Sequence, residues 1–583
     1  MSDVSRFHNT PDRAAHLRCK RTNARFVCLI AAAAFCVSAL SPLRVAAESP
    51  QAAKVQEEMA TDVVLRAMVD EIDRGLAGLQ LEDLKRPYFI EYGAQDAAVA
   101  SVTASLGSVI ERENDRVRYL RVETRVGSYE LDNTNFVGGG YSGLARAQLP
   151  IEDDYEAIRQ AIWWATDSSY KSAAEAFPRK QALMESKVIE DKPADFTREQ
   201  PVVEFEAISD HKIPSAALEK LAVDLSAIFR DYPDIQRSVV RIRTGAGNDY
   251  LVNTEGTRLR TKGELCELTV VALTQADDGM TLSDSMSVYL TEPLKVPSTQ
   301  ELAPKVRELA DRLLKIRSAP KLESAYSGPV LVDAPAATAI FGGMFANRFD
   351  GGQRPVGSQS SPDDFEKKIG KRILPRSVMV IDDPSLKEYN GELLIGDYRY
   401  DDQGVAGQKQ TLVDKGRLQE LVMSRNPSKE FKQSTGHGRG SIRPSAMISN
   451  LIMTSTDPLT KEAMLEEFIE AFQDEDNEFG IRIASFGGRT PLEVYKVFAD
   501  GREELVRGVN AIRADLRAFK RILAVGDTPA VMNVLGGEGG QSVVAPALLF
   551  EELDLAPMDS DFDKPPFIPG PLARQKEKQE SGA

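Results

Sequence analysis

Cysteine and histidine are scarce in this chain of 583 residues, which has only four of each. Three of the cysteines lie near the N-terminus, so only Cys266 remains if that segment is removed, and one cysteine excludes an intramolecular disulfide. A zinc site of nitrogen and sulfur ligands would then have to combine His211, His437 and Cys266. They are far apart in sequence, and we interpret them as unrelated positions.

Excess positive charge is missing as well, since the formal net charge is −16. Residues 1–47 contain seven Lys/Arg and two Asp/Glu, so their removal leaves a net charge of −21. A strongly acidic protein is a poor partner for nucleic acid or for an anionic membrane surface. The composition therefore argues against both kinds of partner.

Several catalytic and binding motifs are also missing from the sequence. There is no G-x-S-x-G nucleophile elbow and no loop with EF-hand spacing. The glycine-rich run at 536–540 lacks the Lys and Ser/Thr of a phosphate-binding loop, and we interpret its Glu538 as a loop residue rather than a lone acid or base. The many carboxylates leave an oxygen-ligand site for Ca²⁺ or Mg²⁺ open. We interpret the acidic run 474–476 as a solvated helix end.

The N-terminus has the pattern of a targeting segment. Basic residues precede an apolar run of 15 residues, Phe26–Leu40, and small residues at Val45–Ala47 offer a cleavage site before Glu48. The run is short for a membrane span, which needs about 20 residues. We therefore expect a cleaved signal peptide, with an uncleaved anchor as the alternative, and a periplasmic or extracellular protein.

The spacing of apolar residues predicts an α+β fold. Helical stripes recur in the first half, between stretches that alternate as antiparallel strands, and the second half is mostly strands and turns. We expect a signal peptide at 1–47, an N-terminal α/β domain at 48–320, a β-rich C-terminal domain at 321–556 and a disordered tail at 557–583. The predicted helices are 57–80, 153–185 with an interruption at Pro178, 215–230, 301–317 and 461–473.

The stretch from Ser327 to Gly352 carries the most specific information. It predicts a short strand at Val330–Val332, a turn, and a helix of small residues that reaches about Phe349. Two adjacent glycines, Gly342 and Gly343, weaken that helix and indicate close packing or a bend.

This stretch and several later segments resemble the TldD/PmbA family of metallopeptidase-related proteins. The segments that carry the resemblance follow in the same order over much of the chain: 125–136, 250–257, 276–280, 400–405, 412–418, 424–425, 434–439, 443–444, 449–451 and 501–508. The resemblance implies an α/β N-terminal domain and a strand-rich C-terminal domain that faces a groove between subunits.

The chain departs from the family at the metal site. Active members carry HExxxH on the helix, whereas Phe341 and Ala346 occupy the histidine positions here and Gly342 the glutamate position. The cysteine ligand expected in the glycine-rich segment near the C-terminus is also missing. The resemblance therefore implies the metal-free TldE (PmbA) type of subunit, with no cofactor of its own and zinc only in a partner subunit.

The loop around His437 is the predicted binding element. Flanking glycines let a backbone approach an extended peptide, and His437 and Arg439 are placed to bind its carbonyls or carboxylate. Asn450 and Arg425 complete the predicted substrate-binding set. A base–nucleophile pairing of His437 with Ser434 or Thr435 is the alternative for this loop.

Three functions remain open at this point. The first is an exported, non-catalytic subunit that pairs with a metal-bearing TldD-like chain and binds peptides or unfolded segments in a hetero- or homo-oligomer. The second is a peptide-binding or scaffold protein with no peptidase association. The third is a peptidase with relocated catalytic residues.

Overall fold

The computed structural model describes residues 50–81, 84–187, 192–292, 295–359, 364–536, 539–558, 562–566, 568 and 570–573. The predicted signal peptide, Glu538 and more than half of the predicted C-terminal tail lie outside the described residues. Within that tail, Phe562 packs against the core of the first half. The predicted domain boundaries stay predictions.

Eight α-helices lie in the described part of the chain. They are α1 (Pro50–Thr61), α2 (Val63–Gly78), α3 (Tyr155–Glu185), α4 (Ser215–Ala227), α5 (Thr299–Arg317), α6 (Ala334–Phe345), α7 (Lys461–Asp474) and α8 (Leu516–Lys520). Two short 3₁₀ helices, Ile228–Asp231 and Phe365–Lys368, accompany them. None of the described helices combines the length and the apolar composition that a membrane crossing requires.

Local signals explain where the helices begin and end. Asp62 accepts a hydrogen bond from the Leu65 N–H and caps α2, which separates it from α1 where we expected one helix. Ser298 and Glu301 form a capping box at the start of α5. The interruption predicted at Pro178 is wrong, because α3 continues through it while the buried ring of Phe177 packs the neighbouring turn against the core.

The first half of the chain forms one seven-stranded sheet. Its strands are β1 (Pro87–Ser105), β2 (Ser108–Val126), β3 (Leu144–Gln148), β4 (Val203–Phe205), β5 (Arg237–Asn253), β6 (Arg258–Gln275) and β7 (Thr281–Leu290). Their order is β3-β2-β1-β5-β6-β4, and β7 also pairs with β6. The pairs are antiparallel except for β4 with β6.

Helices cover one face of this sheet. Even-numbered apolar residues of β1, β5 and β6, such as Val102, Val240 and Val270, pack against α4 and α5. Ile90 and Val122 likewise pack among the residues of α2 and α3. The odd-numbered residues of these strands point to the opposite face, because side chains alternate along a strand.

The second half is built around a ten-stranded mixed sheet. Its strands and those of two small hairpins are β8 (Tyr326–Val332), β9 (Val378–Asp382), β10 (Glu388–Tyr389), β11 (Glu392–Leu393), β12 (Gln410–Asp414), β13 (Arg417–Leu418), β14 (Gly438–Arg439), β15 (Ser445–Ala446), β16 (Asn450–Ser455), β17 (Phe479–Gly487), β18 (Thr490–Phe498), β19 (Glu503–Val506), β20 (Ile522–Gly536) and β21 (Gly539–Leu555). The order is β13-β12-β9-β16-β21-β8-β17-β18-β19, with β20 paired to β21.

The α+β prediction is confirmed by these two sheets and their helices. The strand and helix predicted between Ser327 and Gly352 are β8 and α6, although α6 ends at Phe345 rather than near Phe349. A hairpin turn at 253–256 joins β5 to β6. Strands β1, β2, β5 and β6 each run for 17 to 19 residues and continue through stretches where the apolar alternation breaks.

Candidate functional site

Helix α6 packs into an apolar seam. The ring of Phe341 is fully buried, and its centroid lies 5.2 Å from that of Phe345. A Cβ atom added to Gly342 would lie 3.1 Å from Cγ2 of Val543 and 3.3 Å from Cε of Met532, on the β20–β21 hairpin. Gly342 therefore permits a close helix–sheet approach that any side chain would disturb.

The end of the same hairpin lies close to the Arg439 side chain and to the backbone at Ile395. Gly539 has φ +113°, and a Cβ atom there would lie 2.3 Å from Nη2 of Arg439. A Cβ atom on Gly540 would lie 2.1 Å from the carbonyl oxygen of Ile395. The backbone conformation of Gly539 and the close packing of Gly540 therefore explain why glycine stands at these two positions.

Residue His437 lies in a buried polar cluster. Its imidazole is fully buried, with Nε2 2.8 Å from Oδ2 of Asp382. Its Nδ1 lies 2.9 Å from both the carbonyl oxygen and the hydroxyl of Thr435. Because both ring nitrogens have partners inside the protein, this histidine holds the loop in place and is shielded from direct contact with a substrate.

The centre of the polar cluster is Asp382, which ends β9. Besides His437, its carboxylate accepts a 2.6 Å hydrogen bond from the Ser449 hydroxyl and a 2.9 Å bond from the Ser449 N–H. Asn450 follows on β16 and donates through Nδ2 to the carbonyl oxygens of Asp383 and Leu386, each at 2.9 Å. No sequence pattern pointed to Asp382, because its partners lie 55 to 67 positions away in the chain.

Arg439 lies at the outer side of this cluster. Its side chain is 13% exposed, its guanidinium stacks 4.4 Å from the ring centroid of Tyr398, and its Nε lies 3.7 Å from Oδ2 of Asp402. Asp402 itself is 45% exposed. Among the four predicted binding residues, Arg439 is the one that reaches this exposed edge.

Arg425 has a different position, at the junction of the two halves. Its Nη2 donates to the carbonyl oxygen of Thr197 at 2.6 Å and to Oε1 of Glu255 at 2.8 Å. Its guanidinium lies over the ring of Phe196 at 4.0 Å, and the side chain is fully buried. Arg425 therefore links the two halves of the chain.

Two acidic residues beside the loop have displaced pKa values. Burial raises the pKa of Asp401 to about 7, although its carboxylate accepts hydrogen bonds from the N–H groups of Gln403, Val405 and Gly438. Burial also raises the pKa of Asp249, on β5, to about 6, and the nearby charge of Asp402 adds to that rise. Neither residue was predicted from sequence.

Comparison with known proteins identifies the C-terminal half. The sequence pattern of the PmbA/TldA metallopeptidase C-terminal domain matches residues 325–557. Residues 325–557 of the chain belong to the TldD/PmbA family.

Curated relatives of this TldD/PmbA protein are metalloproteases by name. It is 26% identical over 193 residues to the metalloprotease TldD homolog of Buchnera aphidicola, a match that covers 31% of this chain and 38% of that protein. It is 33% identical over 106 residues to a metalloprotease of Methanocaldococcus jannaschii, covering 18% of this chain and 22% of that one. The chain thus spans less than two fifths of the length of each of these two relatives.

Solved structures share the fold over most of the chain. TldE from Thermococcus kodakarensis superposes with a TM-score of 0.55 at 13% identity, covering 84% of this chain and all of that one. A Thermotoga maritima protein described as a proposed modulator of a DNA gyrase gives 0.57 at 16% identity, with the same coverage. At these identities the likeness shows the fold.

Zinc is the metal that the family implies, and the residues of this TldD/PmbA chain do not fit it. A phenyl ring, a glycine and a methyl group at positions 341, 342 and 346 offer no nitrogen, oxygen or sulfur ligand. Within the described residues, no group of three or more His, Cys, Asp or Glu side chains is arranged to hold a metal ion.

Proposed function

We propose that this protein is a non-catalytic, metal-free subunit of a TldD/PmbA-type peptidase assembly that acts on peptides or unfolded protein segments. The observation that carries the proposal is the apolar seam at α6. Phe341 and Gly342 stand where a ligand and the general base would stand, and both are buried against the hydrophobic core. A group without a proton to transfer or a lone pair to donate cannot activate water.

The catalytic partner would be a metal-bearing relative that carries HExxxH. In such a pair the present chain shapes the peptide-binding surface and the relative supplies the metal. The TldE fold match and the metalloprotease names of the relatives support this division of roles. An export signal in residues 1–47 would place the pair outside the cytoplasm, which N-terminal sequencing of the protein from cell fractions would test.

The peptide-binding role centres on Arg439 at the exposed edge of the polar cluster. A guanidinium is suited to a peptide carbonyl or carboxylate, because it donates two parallel hydrogen bonds. His437 would act indirectly, by holding the loop through Asp382. Replacing both His437 and Arg439 by Ala should weaken peptide binding and partner activity. Unchanged affinity and unchanged activity would reject this role, with thermal unfolding as the check that the variant folds.

The peptidase assignment is tested by assaying this chain alone, the HExxxH relative alone, and the two together. We expect no hydrolysis by this chain alone and more hydrolysis by the pair than by the relative. Failure to associate with the relative, combined with retained peptide binding, would favour the scaffold function instead. Hydrolysis by this chain alone would favour relocated catalytic residues.

A further inference from the structure

Lys180 and Asp195 form a buried ion pair that the proposed function does not use. Lys180 lies near the end of α3, and Asp195 lies in the segment that leads from α3 to β4. Nζ of Lys180 is 2.5 Å from Oδ2 of Asp195, and neither side chain is exposed to solvent. Lysine is rarely buried completely, because burial removes the water that stabilises its charge. The pair is therefore costly to keep in its ionised form.

The surroundings favour the neutral forms of both groups. Burial lowers the pKa of Lys180. Burial, together with the nearby charge of Asp132, raises the pKa of Asp195. Both shifts favour transfer of a proton from the ammonium group to the carboxylate, which places a free amine beside a carboxylic acid. The free amine is the nucleophilic form of lysine.

The contacts of the pair already match those of an amide. Besides Asp195, Nζ of Lys180 donates a hydrogen bond to the carbonyl oxygen of Thr134. Oδ2 of Asp195 accepts a 2.9 Å hydrogen bond from the backbone N–H of Asp132. If the nitrogen were joined to the carboxyl carbon, the amide N–H would keep Thr134 as its acceptor and the amide oxygen would keep Asp132 as its donor. Both polar groups of the product would then be satisfied inside the protein.

The other carboxylate oxygen has a proton donor of its own. Oδ1 of Asp195 lies 2.7 Å from Nζ of Lys192, whose side chain is 11% exposed. Because Lys192 is partly hydrated, its charged form is favoured, and it is better suited to donate a proton than to act as a nucleophile. An ammonium group at this position can protonate an oxygen that leaves as water.

We propose that Lys180 and Asp195 condense to an isopeptide bond inside the folded protein. The amine nitrogen of Lys180 attacks Cγ of Asp195 and forms the C–N bond, while the bond from Cγ to Oδ1 breaks. Oδ1 carries the proton of the carboxylic acid, accepts a second proton from Lys192 and leaves as water. The proton that the attacking nitrogen loses restores Lys192. The net change is the loss of one water molecule, and no other reactant is needed.

Burial and fixed geometry favour this reaction. In water, an ionised amine and carboxylate resist condensation because both charges are hydrated, but this pair has already lost that hydration. The carboxyl carbon is bonded directly to the oxygen that Nζ contacts, so the reacting atoms are held as neighbours. The bond ties α3 to the segment that carries Thr197, the partner of Arg425. The described residues contain one cysteine and no disulfide, so this bond supplies a covalent constraint that they otherwise lack.

This inference goes beyond the proposed function, because it needs neither a peptide nor a metal-bearing relative. Absence of the bond would leave the proposed function standing. Failure of the peptidase and association assays would leave the bond unaffected.

Mass spectrometry of the purified chain tests the proposal. In most chains, the intact mass should be lower by one water molecule than the mass calculated from the first residue of the purified protein to its last. Digestion with trypsin should yield a branched peptide in which the side chain of Lys180 is joined to that of Asp195. Lys180→Arg keeps the positive charge but removes the amine, so the full mass should return and the branched peptide should disappear.

Another Lys–Asp pair on α3 provides the matched control. Nζ of Lys171 is 2.6 Å from Oδ2 of Asp167, but these side chains are 52% and 25% exposed. Because this pair is hydrated, no cross-link should join it, and Lys171→Arg should leave the mass deficit unchanged.

Three results would overturn the proposal. They are the full mass in the unaltered chain, a branch at Lys192 instead of Lys180, and a mass deficit that persists in Lys180→Arg. The first two are measured on the unaltered chain, so the test stands even if Lys180→Arg fails to fold.

Discussion

Two regions of the C-terminal half differ in whether they contain ionisable groups and in how those groups are bonded. At the α6 seam there are none, and Phe341 and Gly342 are held by apolar contacts alone. Around Asp382 there are several, but the imidazole of His437 and the hydroxyl of Ser449 both bond to the Asp382 carboxylate inside the protein. Chemistry needs a reactive group that is also accessible. The α6 seam lacks reactive groups, and the groups of the Asp382 cluster are not accessible. The family's metal motif belongs to the α6 region.

The first test of this comparison introduces a carboxylate into the seam, at the position of the family's glutamate. Gly342→Glu should lower the free energy of unfolding by about 4 kcal/mol or more, because a charged side chain is forced against Val543 and Met532 without a partner. Denaturant unfolding followed by circular dichroism measures the loss.

The neighbouring glycine provides the matched control. A Cβ atom on Gly343 would have no other atom within 4 Å, and the residue is exposed. Gly343→Glu should therefore leave stability unchanged or raise it by up to about 1 kcal/mol through helix propensity. Equal losses of stability in both variants would show that Gly342 is not in close contact with Val543 and Met532.

The second test removes the centre of the polar cluster. Asp382→Ala should lower the free energy of unfolding by about 3 kcal/mol, because His437 and Ser449 lose a buried partner at once. The exposed Asp402→Ala should cost no more than about 1 kcal/mol. A small loss for Asp382→Ala would contradict the view that this cluster is tied together internally.

The third test concerns pH and Asp249. Its folded pKa of about 6 is above the ordinary value of 3.8, so the unfolded chain releases this proton first as pH rises. The stability that this group contributes is fully present below about pH 4 and is lost as pH rises through about 6, a change of up to about 3 kcal/mol. Asp249→Asn keeps the acceptor for Gln95 and should remove that part of the pH dependence, as measured by unfolding midpoints between pH 4 and 7.

The smallest expected effect on stability is at Arg439. Arg439→Ala removes the stacking on Tyr398 and a distant pairing with Asp402, which together are worth about 1 kcal/mol or less. A much larger loss of stability, seen in thermal unfolding, would show that Arg439 belongs to the internally bonded cluster rather than to its exposed edge.

Local patterns in the sequence predicted most of the helices and the β8–α6 unit, because an apolar stripe and a cap depend on residues only a few positions apart. The short α8 and the separation of α1 from α2 were not predicted. Gly342 is an example, since close packing was expected there and is observed. The polar cluster was only partly predictable. His437 was recognisable by its flanking glycines, but Asp382 meets it from 55 positions away. Arg425 meets Glu255 from 170 positions away, so its role as an anchor between the halves had no local signal.

The most direct test of the central claim is the metal content of the purified chain, measured by mass spectrometry after exchange into zinc-containing buffer and then removal of free metal. Since Phe341 and Gly342 of α6 and Ala346, directly after it, stand in place of the ligands and the base, we expect far less than one zinc per chain. One tightly held zinc per chain would contradict the account.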